Sequence, residues 1–171
     1  MHAPASLVIA QGYRPGIIGR ITEMHADYYS REAGFGQFFE SRVASGLAEF
    51  AGRLENSRNG IWTALQDGRV VGSIAIDGED LGDNEAHLRW FIMDDGLRGQ
   101  GTGRALISAA VAFCDRNKFA KTRLWTFSSL DAARKLYEDY GFVLEEEFSG
   151  TQWGKEVTEQ VFARPAMKIV F

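Results

Sequence analysis

Eight consecutive residues, Leu97-Arg98-Gly99-Gln100-Gly101-Thr102-Gly103-Arg104, place three glycines and two arginines between a strand-like run over residues 88–93 and a helical run over residues 105–118. Glycine lets the backbone approach a ligand closely. A helix start presents unpaired N–H groups at the positive end of its dipole. With Arg98 and Arg104 as charged donors, the stretch reads as a seat for an anion, most naturally a phosphate or pyrophosphate. Two phosphate-binding signatures do not fit it. The P-loop ends in Gly-Lys-Ser/Thr, which is absent, and the dinucleotide fingerprint G-x-G-x-x-G/A would need glycine or alanine where Arg104 or Leu106 stands. No acidic residue closes the following strand-like run, Leu124-Trp125-Thr126-Phe127, to hold a ribose. What is left is Arg98-x-x-Gly101-x-Gly103, or a glycine-rich strand-to-helix turn that binds nothing.

Groups for proton transfer stand nearby. Glu85 and His87 are two residues apart on the strand that precedes the loop, hence on one face. Either could act as a general base, the imidazole having an ordinary pKa of about 6.5; either could equally be a structural or surface residue. His25 has Tyr28 and Tyr29 at i+3 and i+4, so the three share a helix face that either lines a pocket or edges the core. The three histidines and single cysteine show no metal-ligand spacing, so no metal is expected. No G-x-S-x-G elbow is present for serine-nucleophile chemistry. The run Glu145-Glu146-Glu147 reads as a solvated strand end.

These residues need a scaffold. The 171 residues fit one domain, and 45% hydrophobic content supports a sizeable core. A strand over residues 6–11 leads to a helix from Ile17, with Ile17, Ile21, Met24 and Tyr28 on one face. A second helix carries Phe39, Val43, Gly46 and Phe50 at the same spacing. Strands over residues 61–65 and 70–76 join at Asp67-Gly68, a hairpin signal, and a polar turn leads to a strand over residues 85–93. The helix over residues 105–118 is apolar on two sides (Leu106, Ala109, Ala110, Phe113; Ile107, Val111, Cys114), which suggests burial between layers. Its helical crossover makes the strand over residues 123–127 parallel to its predecessor. Ser128 is placed to cap a helix over residues 130–140, with Asp131 as partner and Gly141 as its left-handed terminator. Strands over residues 142–147 and 157–163 close the chain.

Charge and composition exclude some classes. A formal net charge of −4 argues against a nucleic-acid partner. No apolar run reaches membrane-spanning length and no signal segment opens the chain, so a cytoplasmic protein without membrane contact is expected. One cysteine, Cys114, allows no intrachain disulfide. The apolar run Met167-Lys168-Ile169-Val170-Phe171 would be an awkward free edge; packing on the sheet or on a second subunit is expected, with a homodimer favoured.

The element order and two motifs together resemble the GNAT family of N-acetyltransferases. Arg98-x-x-Gly101-x-Gly103 matches its R/Q-x-x-G-x-G/A pyrophosphate loop, and Ala133, Tyr137, Gly141 and Phe142 match its later A-x-x-x-Y-x-x-x-G-F segment. The resemblance implies an α/β (α+β) acyl-CoA N-acyltransferase fold in one domain over residues 1–171. Its mixed central sheet would have antiparallel second to fourth strands, a splayed parallel fourth and fifth pair, and helices on both faces. It implies acetyl-CoA as co-substrate and acetyl transfer to a primary amine, of a small molecule or a peptide, by direct attack. The backbone at Phe91, Ile92 and Met93 would hold the pantetheine arm and the thioester carbonyl. The loop Arg98, Gly99, Gln100, Gly101, Thr102, Gly103 and Arg104 would hold the pyrophosphate, and Ser128, Ala133 and Tyr137 would complete the cofactor contacts. Tyr137 would protonate the departing thiolate, the alternative being a packing residue beside Leu136 and Tyr140. His25, Tyr28 and Tyr29 would wall the acceptor pocket. A narrower likeness links Tyr13-Arg14-Pro15-Gly16, the helix with His25, Tyr28 and Tyr29, and the Ala-Ala-Arg-x-x-Tyr run to acetyltransferase domains often fused behind MarR-type regulators. Those relatives usually have Thr-Asn-Ser where this chain has Thr126-Phe127-Ser128. A non-catalytic acyl-CoA sensor and an enzyme using a longer acyl chain are the other readings.

Overall fold

The computed structural model describes residues 7–97 and 101–167. Their elements run β1 (Leu7–Gln11), α1 (Ile17–Ala33), α2 (Gln37–Ala51), β2 (Gly60–Gln66), β3 (Arg69–Asp77), β4 (Glu85–Met93), α3 (Thr102–Arg116), β5 (Lys121–Phe127), α4 (Asp131–Asp139), β6 (Val143–Gly150) and β7 (Val157–Pro165), with a 3-10 turn at Asp95–Leu97. Local chemistry accounts for several boundaries. Asp67 and Gly68 both have positive φ, 50° and 79°, the requirement of the tight hairpin joining β2 to β3. Gly141 at φ 91° ends α4 and lets the Phe142 N–H donate to the Tyr137 carbonyl at 3.0 Å.

The sheet order is β1-β2-β3-β4-β5-β7-β6, antiparallel except for the parallel pair β4/β5. This is the mixed sheet expected from the sequence. On one face α1 and α2 bury Ile21, Met24, Phe39, Leu47 and Phe50 against Ile61, Ala75 and Ile92. On the other, α3 buries Leu106, Ile107, Ala110 and Phe113 against Trp62, Ile74, Ile76 and Leu124. Among the described residues no helix is long and apolar enough to cross a membrane.

Two local expectations are corrected. α3 is an outer layer, not sandwiched: Ala105, Ser108 and Ala112 are exposed. At 100° per residue its two apolar sides are neighbouring rows that merge into one broad stripe. Ser128 does not cap α4. The helix begins at Asp131 with Leu130 at its N-cap and no side-chain cap bond, while the Ser128 N–H donates to the Thr158 carbonyl at 2.9 Å. The link turns instead at Ser129, where φ is 82°. Met167 is exposed, and the rest of the C-terminal run lies outside the described residues.

The sheet divides at its centre. β4 pairs with β5 only from Glu85↔Lys121 to His87↔Arg123. Beyond that point β4 stays with β3, and β5 stays with β7 along its whole length. In the β4/β3 ladder Ala75 faces Arg89 but Ser73 faces Ile92, so Trp90 and Phe91 together oppose Ile74. Two residues against one is a β-bulge. Trp90 sits there at φ 49°, with its carbonyl accepting from Ser73 Oγ at 2.7 Å.

Candidate active site

The divergence of β4 from β5 opens two hollows that share Tyr29, Phe91 and Phe127 as a common wall. The first, about 570 Å³, lies between the end of β4 and the start of α4. It is lined by Phe91, Ile92, Met93, Ser129, Leu130 and Ala133, with Tyr28 and Leu136. The second, about 180 Å³, lies on the α1/α2 side of the fork. It is lined by His25, His87, Arg89, Trp90, Trp125 and Trp153, with Tyr137 and Gln152.

The first hollow suits an elongated ligand. Past His87, the β4 backbone groups that face β5 have no strand beside them, and unpaired backbone groups seek a partner. The N-terminus of α3 adjoins it. Gly101 is the N-cap at φ 76° without a side-chain cap bond, so the first N–H groups of α3 are left for a ligand. Thr102 Oγ1 is buried there with no hydrogen-bond partner among the described residues. Gly103 packs so tightly that a Cβ would lie 3.1 Å from Met93 Sδ and 3.3 Å from Leu136 Cδ2. These features fit a pantetheine-and-pyrophosphate ligand such as acetyl-CoA. Arg98, Gly99 and Gln100 lie outside the described residues. Arg104 is engaged by Asp139 at 2.7 Å, so a phosphate would have to share it. Ser128 does not line this hollow; Ser129 and Leu130 do.

Tyr137 is buried, its ring 5.9 Å from Phe91, 6.0 Å from Phe142 and 6.2 Å from Phe162. Burial, reinforced by Tyr29, pushes the phenol well above its usual range, so it holds its proton at neutral pH. Cys114 is buried in α3, and burial pushes its thiol up to about 11. It is therefore an inert core thiol.

Of the two candidate bases, His87 lines the second hollow and Glu85 does not. Glu85 lies on the joined part of β4, 3.3 Å from Arg123. His87 Nδ1 is 2.7 Å from Asp80 Oδ2, and its ring stands edge-on to Trp125 at 4.9 Å. A carboxylate at Nδ1 selects the tautomer that donates there, leaving Nε2 basic. His25 lines the same hollow. Its Nδ1–H donates to the Ile21 carbonyl at 2.9 Å, and burial lowers its pKa to about 4, so it is neutral. Tyr29 stands with His25, while Tyr28 faces the first hollow instead.

The aromatic wall was only partly legible. Phe127 is ringed by Phe35 at 5.3 Å, Trp153 at 5.6 Å and Tyr29 at 5.8 Å. Trp153 and Gln152 come from the β6–β7 connection and carry no local signal. Gln152 donates its side-chain amide to buried Glu159. Arg89 was missed although it shares the face of Glu85 and His87 by strand alternation. Burial lowers its pKa, with Asp80 and Asp77 opposing.

The acetyltransferase (GNAT) family model matches residues 20–142. Among curated proteins, N-acetylaspartate synthetase of Xenopus tropicalis is 37% identical over 81 residues, 47% of this chain and 30% of that protein. The same enzyme of Danio rerio is 30% identical over 116 residues, 67% of this chain and 40% of that protein. The matched stretches thus span well under half of those relatives. Among solved structures, an acetyltransferase from Salmonella typhimurium with its cofactor acetyl-CoA superimposes with a TM-score of 0.77 at 14% identity, covering 98% of each chain. A GNAT-family acetyltransferase from Staphylococcus aureus Mu50 superimposes with a TM-score of 0.74 at 18% identity, covering 95% of this chain and 100% of that one. At such identities the likeness speaks for the fold.

Proposed function

Since the chain belongs to the acetyltransferase (GNAT) family, we propose that it transfers an acetyl group from acetyl-CoA to the nitrogen of a primary amine, by direct attack within a ternary complex. The observation that carries this reading is the pair of hollows meeting at the fork between β4 and β5, one of about 570 Å³ beside the unpaired end of β4 and one of about 180 Å³ with aromatic walls. Acetyl-CoA supplies the acetyl thioester when bound. The β4 backbone at Phe91, Ile92 and Met93 and the α3 N-terminus at Gly101, Thr102 and Gly103 are the groups to hold it.

The remaining chemistry belongs to side chains at the fork. His87 Nε2 takes the proton of the acceptor ammonium, directly or through water, with Asp80 holding the ring. A β4 N–H facing the slot donates to the carbonyl oxygen as it gains charge. Tyr137 holds the proton that the departing sulfur requires, and its burial keeps that proton in place until charge develops. The aromatic wall of Tyr29, Phe91 and Phe127 excludes water between the hollows.

The relatives named for N-acetylaspartate put amino acids among the acceptors to try first. A homodimer is proposed for assembly, since β6 leaves Val143, Leu144 and Phe148 exposed along the sheet edge; light scattering at high micromolar concentration measures it. The functional reading is tested by following CoA release from acetyl-CoA across amines, amino acids, polyamines, aminoglycosides and peptides. Saturable, amine-dependent release is expected. A folded protein that binds CoA but acetylates none of them would instead be an acyl-CoA sensor.

A further inference from the structure

Among the described residues lining the acceptor-side hollow, Arg89 carries the one permanent charge. Its placement follows from the bulge. Because Trp90 and Phe91 together oppose Ile74, Arg89 and Trp90 fall on the same side of β4, and the guanidinium lies 4.0 Å from the Trp90 ring centroid. Gly46 of α2 presses on the pair from above: a Cβ there would lie 3.0 Å from the Trp90 ring and 3.3 Å from Arg89 Nη2. The side chain is therefore clamped between an aromatic face and a helix backbone.

The neighbouring acids do not use it up. Asp77 is fully buried and takes both arms of Arg53, at 3.1 and 2.7 Å. It also accepts the Glu79 and Asp80 N–H groups, at 3.0 and 3.3 Å. Asp80 is engaged by His87 at 2.7 Å and is 3.9 Å from Arg89. Among the described residues the one hydrogen bond Arg89 donates is the 3.5 Å contact to Asp77 Oδ2, at the limit of such a bond. A guanidinium has five N–H donors in a planar fork matched to a carboxylate. Here the guanidinium is charge-compensated by Asp77 at 3.5 Å and Asp80 at 3.9 Å, yet most of its N–H donors make no hydrogen bond within the described residues and stand at the wall of a small aromatic hollow.

Resting on the amine-acylation reading, we infer that the acceptor amine carries a carboxylate and that Arg89 receives it as the specificity-determining residue. The amine is then presented toward the thioester carbonyl at the Phe91 end of β4, and His87, two residues from Arg89 on the same strand face, takes its proton through water. A purely cationic acceptor would meet repulsion from Arg89 in the same hollow.

The test compares acetyl-CoA-dependent acetylation of aspartate, phenylalanine and methionine with that of their α-carboxamides and decarboxylated amines. Wild type is expected to prefer the α-carboxylates by about 10- to 100-fold in kcat/KM, the usual value of a charge-assisted pair. In Arg89→Gln the preference should collapse through KM with kcat little moved, and Arg89→Lys should restore part of it. CoA affinity by calorimetry and thermal stability show that either variant is folded. Equal use of acids and amides by wild type, or a preference that survives Arg89→Gln, overturns the inference and leaves amine acetylation standing. If wild type binds CoA and acetylates no amine, the functional reading falls instead. The carboxylate site is then judged alone, by titrating N-acetyl-phenylalanine and its amide against the fluorescence of Trp90, Trp125 and Trp153. Saturable binding of the acid that Arg89→Gln removes supports the site, and no binding of the acid overturns it.

Discussion

His87 Nδ1 lies 2.7 Å from Asp80 Oδ2 at the point where β4 parts from β5. The contact orients the imidazole across the fork and leaves Nε2 as its basic nitrogen. If that nitrogen deprotonates the acceptor, His87→Gln lowers kcat/KM by roughly 10²-fold or more. Asp80→Asn, which removes the carboxylate that orients His87 and neighbours Arg89 at 3.9 Å, costs less. Steady-state rates at saturating acetyl-CoA check both, and unchanged turnover in His87→Gln assigns the proton to solvent.

Tyr137 separates an enzyme from a sensor. Tyr137→Phe keeps the ring contacts with Phe91, Phe142 and Phe162 and deletes the transferable proton. CoA binding and fold should persist while the rate falls by roughly 10²–10⁴-fold, in kcat and kcat/KM together. Full activity in the folded variant removes the acid role.

The helix-start seat is tested through its glycines. Gly103→Glu forces a side chain against Met93 and Leu136, and Gly101→Glu places one at φ 76°. Each also adds negative charge where a pyrophosphate is expected. CoA affinity should drop by about tenfold or more, ~1.4 kcal/mol, and the thermal stabilisation by CoA should shrink accordingly. Calorimetry giving wild-type affinity for both variants would reject this placement.

His25 makes stability depend on pH. Its folded pKa is lowered to about 4 by burial, against about 6.5 unfolded. Between these values the unfolded chain binds more protons, so stability falls as pH drops through that window. The full effect is about 3 kcal/mol. Denaturant titrations between pH 6.5 and 5, above most carboxylate titration, should show the slope. His25→Gln should flatten it even if its stability at pH 7 is lower. An equal slope in both proteins would assign the effect to other groups.

Much of this protein was legible in its sequence because the signals are local. Asp67-Gly68 admits one kind of turn, and Gly141 suits the left-handed end of a helix. The spacing of Ile17, Ile21 and Met24 marks a buried stripe whatever it packs against. The crossover between residues 93 and 121 required a parallel pair, which β4 and β5 form. Two local signals mislead, for different reasons: the apolar rows of α3 are neighbouring rows that 100° spacing merges into one stripe, and Ser128 is drawn from the cap position by the turn at Ser129 and its bond to Thr158.

The aromatic hollow proposed for the acceptor was decided by tertiary structure, because its parts are distant in the chain and each is individually ordinary. Trp153 is an isolated loop tryptophan until the β6–β7 connection brings it within 5.6 Å of Phe127. His25 is a helix histidine until burial neutralises it. Glu85 and His87 are equivalent by alternation, and only their distance from the fork separates them: both are paired with β5, but His87 is the last paired residue and lines the hollow that opens beyond it. Arg89 depends on a bulge whose one-residue shift rotates Trp90 beneath it. Periodicity assumes an unbroken ladder, and the site lies where the ladder breaks.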